Sequence, residues 1–184
     1  MVAFRGRSSD AIRFEQTAAI LLDVPAYREW IPYISASYIV KRFSADHFIV
    51  YQRFDFTWPY DDRDILAEVR INRNYPEGIF TAEIRAIDDT ALKAVPDNCL
   101  RMTRMSGTVT IRFIDHGTTE GTFTELFDPA GYIPSWLANA ISERIPSTVL
   151  KNLRSRARTV GAHPDAAGIR AELERRMPRY RSTP

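Results

Sequence analysis

The 184 residues hold one cysteine, Cys99, so no disulfide can form within the chain. Histidine is nearly as scarce. His47, His116 and His163 stand far apart, and no His/Cys/carboxylate set has the spacing of a zinc site. Eight glycines never gather into a phosphate-cradling loop, which removes the common nucleotide-binding motifs. No stretch reaches the roughly 18 consecutive apolar residues of a membrane span, so any membrane contact is expected to be peripheral. The N-terminus, Met1 to Arg7, is too short and too charged for a secretory signal, and a cytoplasmic location is the expectation. Repeats and low-complexity tracts are missing, and no Gly/Ser/Pro linker appears before Gly161. One domain over residues 1–160 and a charged C-terminal tail over 161–184 follow.

What is present is the balance of a globular chain: 45% hydrophobic and 26% charged residues. The net charge of +2 is unevenly spread. Residues 144–184 carry ten Lys/Arg against three Asp/Glu, which leaves the first 143 residues at −5. Such a basic end is either a solvated helix face with a frayed tail or a contact for an anionic membrane. Nucleic acid is not an expected partner.

The hydrophobic period changes along the chain. Met1 to Arg7 reads as a first strand, and Phe14, Ala18, Leu21 and Leu22 have helical spacing. Pro25 opens a second short helix that runs to Ile31, since proline fits a first helical turn. Segments 37–43, 47–57, 63–75, 79–88, 100–114 and 118–127 then read as strands. Alternation is clearest at Phe48, Val50, Gln52, Phe54 and Phe56. Turn residues lie between them, so the strands are expected to form an antiparallel meander. A last apolar stripe, from Ile133 through Leu137, Ile141, Ile145, Val149 and Leu153 to Val160, marks one long helix. Pro146 inside it removes a backbone donor at a cost of about 3 kcal/mol, which predicts a kink or restart. The predicted class is α+β: a curved antiparallel sheet of about seven strands wrapped around a long C-terminal helix. A space between sheet and helix is the natural place for a ligand.

Phe127 to Asn139, with the run Asp128-Pro129-Ala130-Gly131-Tyr132-Ile133-Pro134-Ser135-Trp136, resembles the C-terminal signature of the START lipid-transfer domain family. Trp58-Pro59-Tyr60-Asp61-Asp62-Arg63-Asp64 is similar to that family's proline turn and Arg-Asp pair. Val24 to Pro32, Arg101 to Gly107 and Pro146 match in order, and the likeness runs from Val2 to Val160. The resemblance implies a helix-grip fold within the polyketide cyclase-like superfamily. It also implies a tunnel holding one lipid, with the last helix and nearby loops as a gate. No cofactor is implied, and usually no chemistry. Pro146 is more similar to the phosphatidylcholine-transfer branch than to the sterol branch. Sterol-binding relatives place an acidic and a basic residue where this chain has Gln52 and Val69, which makes sterol the less favoured ligand. Family members begin with a further helix and strand, so either the core is shortened or an upstream segment with room for a signal exists.

Eight residues are candidates for the lipid site. Gln52, among Phe54, Phe56 and the preceding apolar residues, could orient a ligand hydroxyl or ester, or bond a neighbouring strand. Arg63 is either a headgroup anchor, through bidentate pairing with phosphate, or a structural tie to Asp61 or Asp64. Arg104 serves the same end if it points inward and is a solvated arginine if it points outward. Trp58, Tyr132 and Trp136 line a tunnel mouth or sit at a membrane interface, with plain core packing an equal reading for Trp136. The cluster Asp61, Asp62 and Asp64 could be acid–base carboxylates, although a turn rich in Asp is the ordinary explanation. The function these features favour is binding, with intermembrane transfer as its extension, of a phospholipid or other hydrophobic small molecule by a monomer. The alternative is an enzyme of the polyketide aromatase/cyclase type, working in the same cavity through Gln52, Arg63 or Arg104.

Overall fold

The computed structural model describes residues 2–159 and 162–182, and their side chains except those of 135–143 and 182. Strand β1 (Val2–Asp10) is followed by helix α1 (Phe14–Leu22), a 3-10 turn (Val24–Ala26) and the short helix α2 (Tyr27–Trp30). Six strands come next: β2 (Ile34–Ser44), β3 (His47–Phe54), β4 (Asp62–Asn74), β5 (Ile79–Ile87), β6 (Cys99–Arg101) and β7 (Met105–Asp115). β8 (Thr118–Phe127) ends the sheet, and helices α3 (Ser135–Thr159), α4 (Ala166–Arg176) and α5 (Pro178–Ser182) complete the described chain.

The sheet runs β1-β8-β7-β5-β4-β3-β2 with antiparallel neighbours throughout, and β6 pairs in parallel with β4 off this path. It is therefore a meander whose far edge is closed by the first strand. The expected segment 100–114 proves to be two strands. Met102 leaves the ladder, and its N–H bonds the Asp64 carbonyl at 2.8 Å, so the chain turns from a β4 partner into a β5 partner. The sheet accordingly has eight strands rather than about seven.

One face of the sheet is apolar because residues that oppose each other across an antiparallel ladder share a face. Phe48 and Val50 of β3, Ala67 and Val69 of β4, Ala86 of β5 and Phe127 of β8 form one buried cluster on that face. Helices α1, α2 and α3 form the layer over it, with Ile20, Trp30 and Leu153 packed together. Pro146 does not interrupt α3, which runs unbroken from Ser135 to Thr159. Beside the proline, Ser147 and Thr148 donate side-chain hydrogen bonds to the Arg144 carbonyl at 2.8 and 2.9 Å.

Residues 166–182 correct the expectation of a charged tail. Ala166, Ile169, Leu173, Met177 and Tyr180 recur at helical spacing and are buried against Phe14, Phe80, Ile111 and Phe113. The backbone N–H of His163 donates to Gln16 Oε1 at 3.0 Å, and its ring Nε2 lies 3.3 Å from Asp23 Oδ2, tying this segment to α1. Arg175 and Arg176 remain on the solvent side. Five of the ten basic residues of 144–184 thus lie on α3, and the other five belong to a packed helix pair where Arg170, Arg175 and Arg176 are paired with Glu174 and Glu172.

Leu173 is fully buried, so Leu173→Ala is expected to lower unfolding free energy by about 2–5 kcal/mol. Urea denaturation measures this. An unchanged midpoint would mean that the segment does not contribute to the fold.

Candidate functional site

Between the sheet and α1 lies an apolar cavity of about 130 Å³. Its floor is the inner face of β3, β4, β5 and β7, including Val50, Val69, Ile84 and Val109, and its roof includes Leu21, Leu22, Val24 and Tyr27. Gln52 is the polar side chain of the described lining besides Tyr27, whose hydroxyl donates to the Leu21 carbonyl; Thr81 touches the space with its backbone, and its hydroxyl meets Thr110 at 3.2 Å on the outer face. Burial raises the Tyr27 pKa well above the ordinary phenol value, helped by nearby Asp23, so the ring stays neutral.

Of the candidate residues with described side chains, Gln52 alone is among the lining. Phe54 and Phe56 lie further along the same face, packed against the core cluster that forms the cavity floor. Arg63 is placed differently from a headgroup anchor. It is 1% exposed, and all three guanidinium nitrogens donate to main-chain carbonyls. Nε bonds Pro129 O at 2.8 Å, Nη1 bonds Asp61 O, and Nη2 reaches Ala130 O at 3.0 Å and Tyr132 O at 3.5 Å. The Phe56 ring lies 4.9 Å below the group. Four of its five N–H groups are taken by the main chain and the group is buried, so the residue is a clamp that holds the 129–132 loop against β4 and not an open phosphate anchor.

The neighbouring acids are equally occupied. Asp64, fully buried, takes a two-point bond from Arg101 at 2.7 and 2.8 Å. Asp62 accepts from Arg53 Nη2 at 2.5 Å and from the Phe56 N–H at 2.9 Å, which hold its carboxyl below the usual range despite burial. This Asp-rich segment is a pinned strand start and not an acid–base pair. Gly131 closes the clamp: its φ of +62° suits glycine, and a Cβ there would meet Leu100 Cδ1 at 2.8 Å. Arg104 points to solvent and pairs with Asp128, away from the cavity. Trp58 and Tyr132 are 88% and 79% exposed, on the two loops whose carbonyls Arg63 gathers. The side chain of Trp136 lies outside the described ones. Cys99 is buried, and desolvation pushes its thiol up to about 11, so it is protonated and inert at neutral pH.

One polar residue was absent from the sequence-based candidates. Glu125 of β8 opposes Gly107 of β7 and Phe4 of β1. Gly107 lies between Met105 and Val109, both of which line the cavity, so Glu125 shares their face. Burial pushes its carboxyl from the ordinary 4.5 up to about 7. The sequence signal was the phase of β8: Thr119, Gly121, Phe123, Glu125 and Phe127 alternate inward, and one of the five is an acid.

No protein-family model matches the chain. An uncharacterized protein of Pseudomonas aeruginosa is 28% identical over 155 residues, 84% of this chain and 75% of that protein. Among solved structures, a fragment of a STAR-related lipid transfer protein from Xanthomonas axonopodis superposes with a TM-score of 0.72. It is 27% identical, and the match covers 85% of this chain and 86% of that one. The Zhui aromatase/cyclase from Streptomyces sp. R1128 superposes with a TM-score of 0.58 at 15% identity, over 88% and 97% of the two chains. The chain has the START-like helix-grip fold, as its motifs imply. That is a fold for binding hydrophobic ligands.

Two outcomes follow from this geometry. Arg63→Lys and Arg63→Ala are both expected to cost about 3–5 kcal/mol of stability in urea denaturation, because an ammonium cannot replace a fork that satisfies carbonyls in several directions. A lysine variant as stable as the wild type would refute the clamp. For Glu125 the folded pKa exceeds the unfolded one, so stability is full below about pH 4.5 and is lost as pH rises through about 7. The loss amounts to about 3 kcal/mol at most. No charged side chain faces Glu125 from β1 or β7, whose inward neighbours are Val2, Phe4, Gly6, Met105, Gly107 and Val109. On α3, Arg144 is exposed, and Glu143 lies among the undescribed side chains. Glu125→Gln should therefore be more stable than wild type at pH 8 and no more stable at pH 4.5. An identical pH profile for the two proteins would contradict the assignment.

Proposed function

We propose that this protein binds a lipid or similar hydrophobic molecule in the cavity and carries it between membranes without reacting on it. The observation that supports this most directly is the apolar space roofed by helices on the inner face of the sheet. Each ligand methylene buried there contributes about 0.8 kcal/mol, and since the space of about 130 Å³ is smaller than a whole lipid, the helical roof has to move outward as the ligand enters. The described lining supports binding over chemistry. Gln52 can orient a hydroxyl or ester but cannot hold and move a proton at neutral pH, and Tyr27 is bonded and kept neutral. A cyclase-type enzyme would need a proton-moving pair, and turnover of a polyketide-like substrate would overturn the carrier reading.

Loading and release need contact with a bilayer. Trp58 and Tyr132 fit that role, since exposed rings with one polar handle favour the membrane–water interface. The Arg63 clamp holds their two loops together, so the rings present a common edge beside the start of α3. Exposed Arg144, Lys151 and Arg158 of α3 add attraction to anionic lipid.

Uptake of a fluorescent phospholipid from vesicles tests the reading. Ala82→Phe projects a ring into the cavity and is expected to cut bound probe at least fivefold while circular dichroism stays native. Trp58→Ala with Tyr132→Ala is expected to slow uptake at least fivefold and leave the final bound amount unchanged. No uptake by the wild-type protein from any vesicle composition would sink the proposal.

A further inference from the structure

A row of opposed residues crosses the inner face of the sheet: Phe4, Glu125, Gly107, Ile84, Val69 and Phe48. Its last three members belong to the cavity floor, and Glu125 is the charged residue among them. Gly107 separates Glu125 from Ile84 and contributes no side chain. No side chain of β7 therefore stands between Glu125, which is half-buried, and Ile84 of the cavity floor. Phe123 and Phe127 flank it along β8. Phe4 packs edge-on against both, with ring centroids 5.6 and 6.3 Å away.

Among the described residues no donor and no cation meets this carboxyl. Every other inward or buried carboxylate described above has its partner: Asp64 has Arg101, Asp62 has Arg53, and Asp10 has Arg154. An acid desolvated by phenylalanines and given no partner among the described residues costs stability, and a hydrophobic residue would serve packing better. A carboxylate in an apolar site is complemented most strongly by an opposite charge, because attraction grows as the dielectric falls. The faces of Phe4, Phe123 and Phe127 add attraction for a cation and none for an anion.

We propose that Glu125 recognises the charged nitrogen of an amine-bearing hydrophobic ligand, whose apolar body lies in the cavity. This rests on the carrier reading and deepens it by naming the polar end of the cargo. The side-chain-free position at Gly107 admits the ammonium, and the carboxylate loses its proton to receive it. Anionic amphiphiles are excluded by the same group. Raising the pH from 6 to 8 strengthens amine binding, because a proton and an ammonium compete for one carboxylate. The inward neighbours on β1 and β7 carry no titratable group to contribute to that dependence, and Arg144 of α3 is turned to solvent.

The test uses the delipidated full chain and isothermal titration with decylamine, decanol and decanoic acid at pH 6 and pH 8. Wild type is expected to bind decylamine at least tenfold more tightly than decanol at pH 8, with the preference shrinking several-fold at pH 6. Decanoic acid should be the weakest ligand. In Glu125→Gln the amine-to-alcohol ratio should fall to about one at both pH values. Equal binding of all three probes by wild type would overturn the role of Glu125 and leave the carrier reading standing. A preference for decanol would overturn it in favour of a neutral hydrogen-bonding carboxyl. Failure of every probe to bind, alongside failed phospholipid uptake, would overturn both.

Discussion

A bent sheet with one apolar face has to cover that face, and in this chain helices rather than a second sheet do so. Helices touch a concave surface along a stripe, and the floor away from the stripe stays unfilled. Small residues sharpen the effect: Ala67 and Ala82 line the cavity floor, and Gly107 puts no side chain between that floor and Glu125. The resulting void is apolar enough to repel water and is continuous with the sheet's inner face. Ligand binding, the placing of Glu125 and the exposure of Trp58 and Tyr132 at one end all follow from that geometry.

The roof must also be held in place without being welded. The guanidinium of Arg63 achieves this by gathering four carbonyls from two loops, the β3–β4 connection and the segment leading into α3. Backbone carbonyls would otherwise be buried without donors at this junction, so the arginine answers a requirement of the fold. The Asp64–Arg101 pair beside it anchors β6 in the same way. The motif that carries the resemblance to START domains is therefore a support for the loop leading into α3, while the ligand-facing positions carry almost no motif at all. Many apolar combinations line a greasy cavity equally well, and only its rare polar groups carry information about the cargo.

Much of the fold was legible in the sequence. The period-2 alternation of β3 and β7 and the stripe of α1 needed only local information, and each segment fell close to where it was read. Strand β6 was fused with β7, because Met102, Thr103 and Arg104 do not differ from strand residues by type. Their departure from the ladder is a tertiary event. The C-terminal helices were mistaken for a tail although Ile169, Leu173, Met177 and Tyr180 carry helical spacing, since charge on the opposite face dominated the composition. At the site, sequence raised Arg63 in two roles and could not choose, because three of the four carbonyls that occupy it lie 66 to 69 residues away. Glu125 escaped notice for the opposite reason: an acid in a strand is ordinary until the strand's phase places it inside.

The central claim is that the interior is occupied by a hydrophobic guest in the working protein. Native mass spectrometry of the intact protein, purified without detergent, measures this directly. The account predicts a mass excess that disappears on extraction with organic solvent and returns on incubation with vesicles. A protein that shows only the mass of its polypeptide, both as purified and after exposure to lipid, would contradict it.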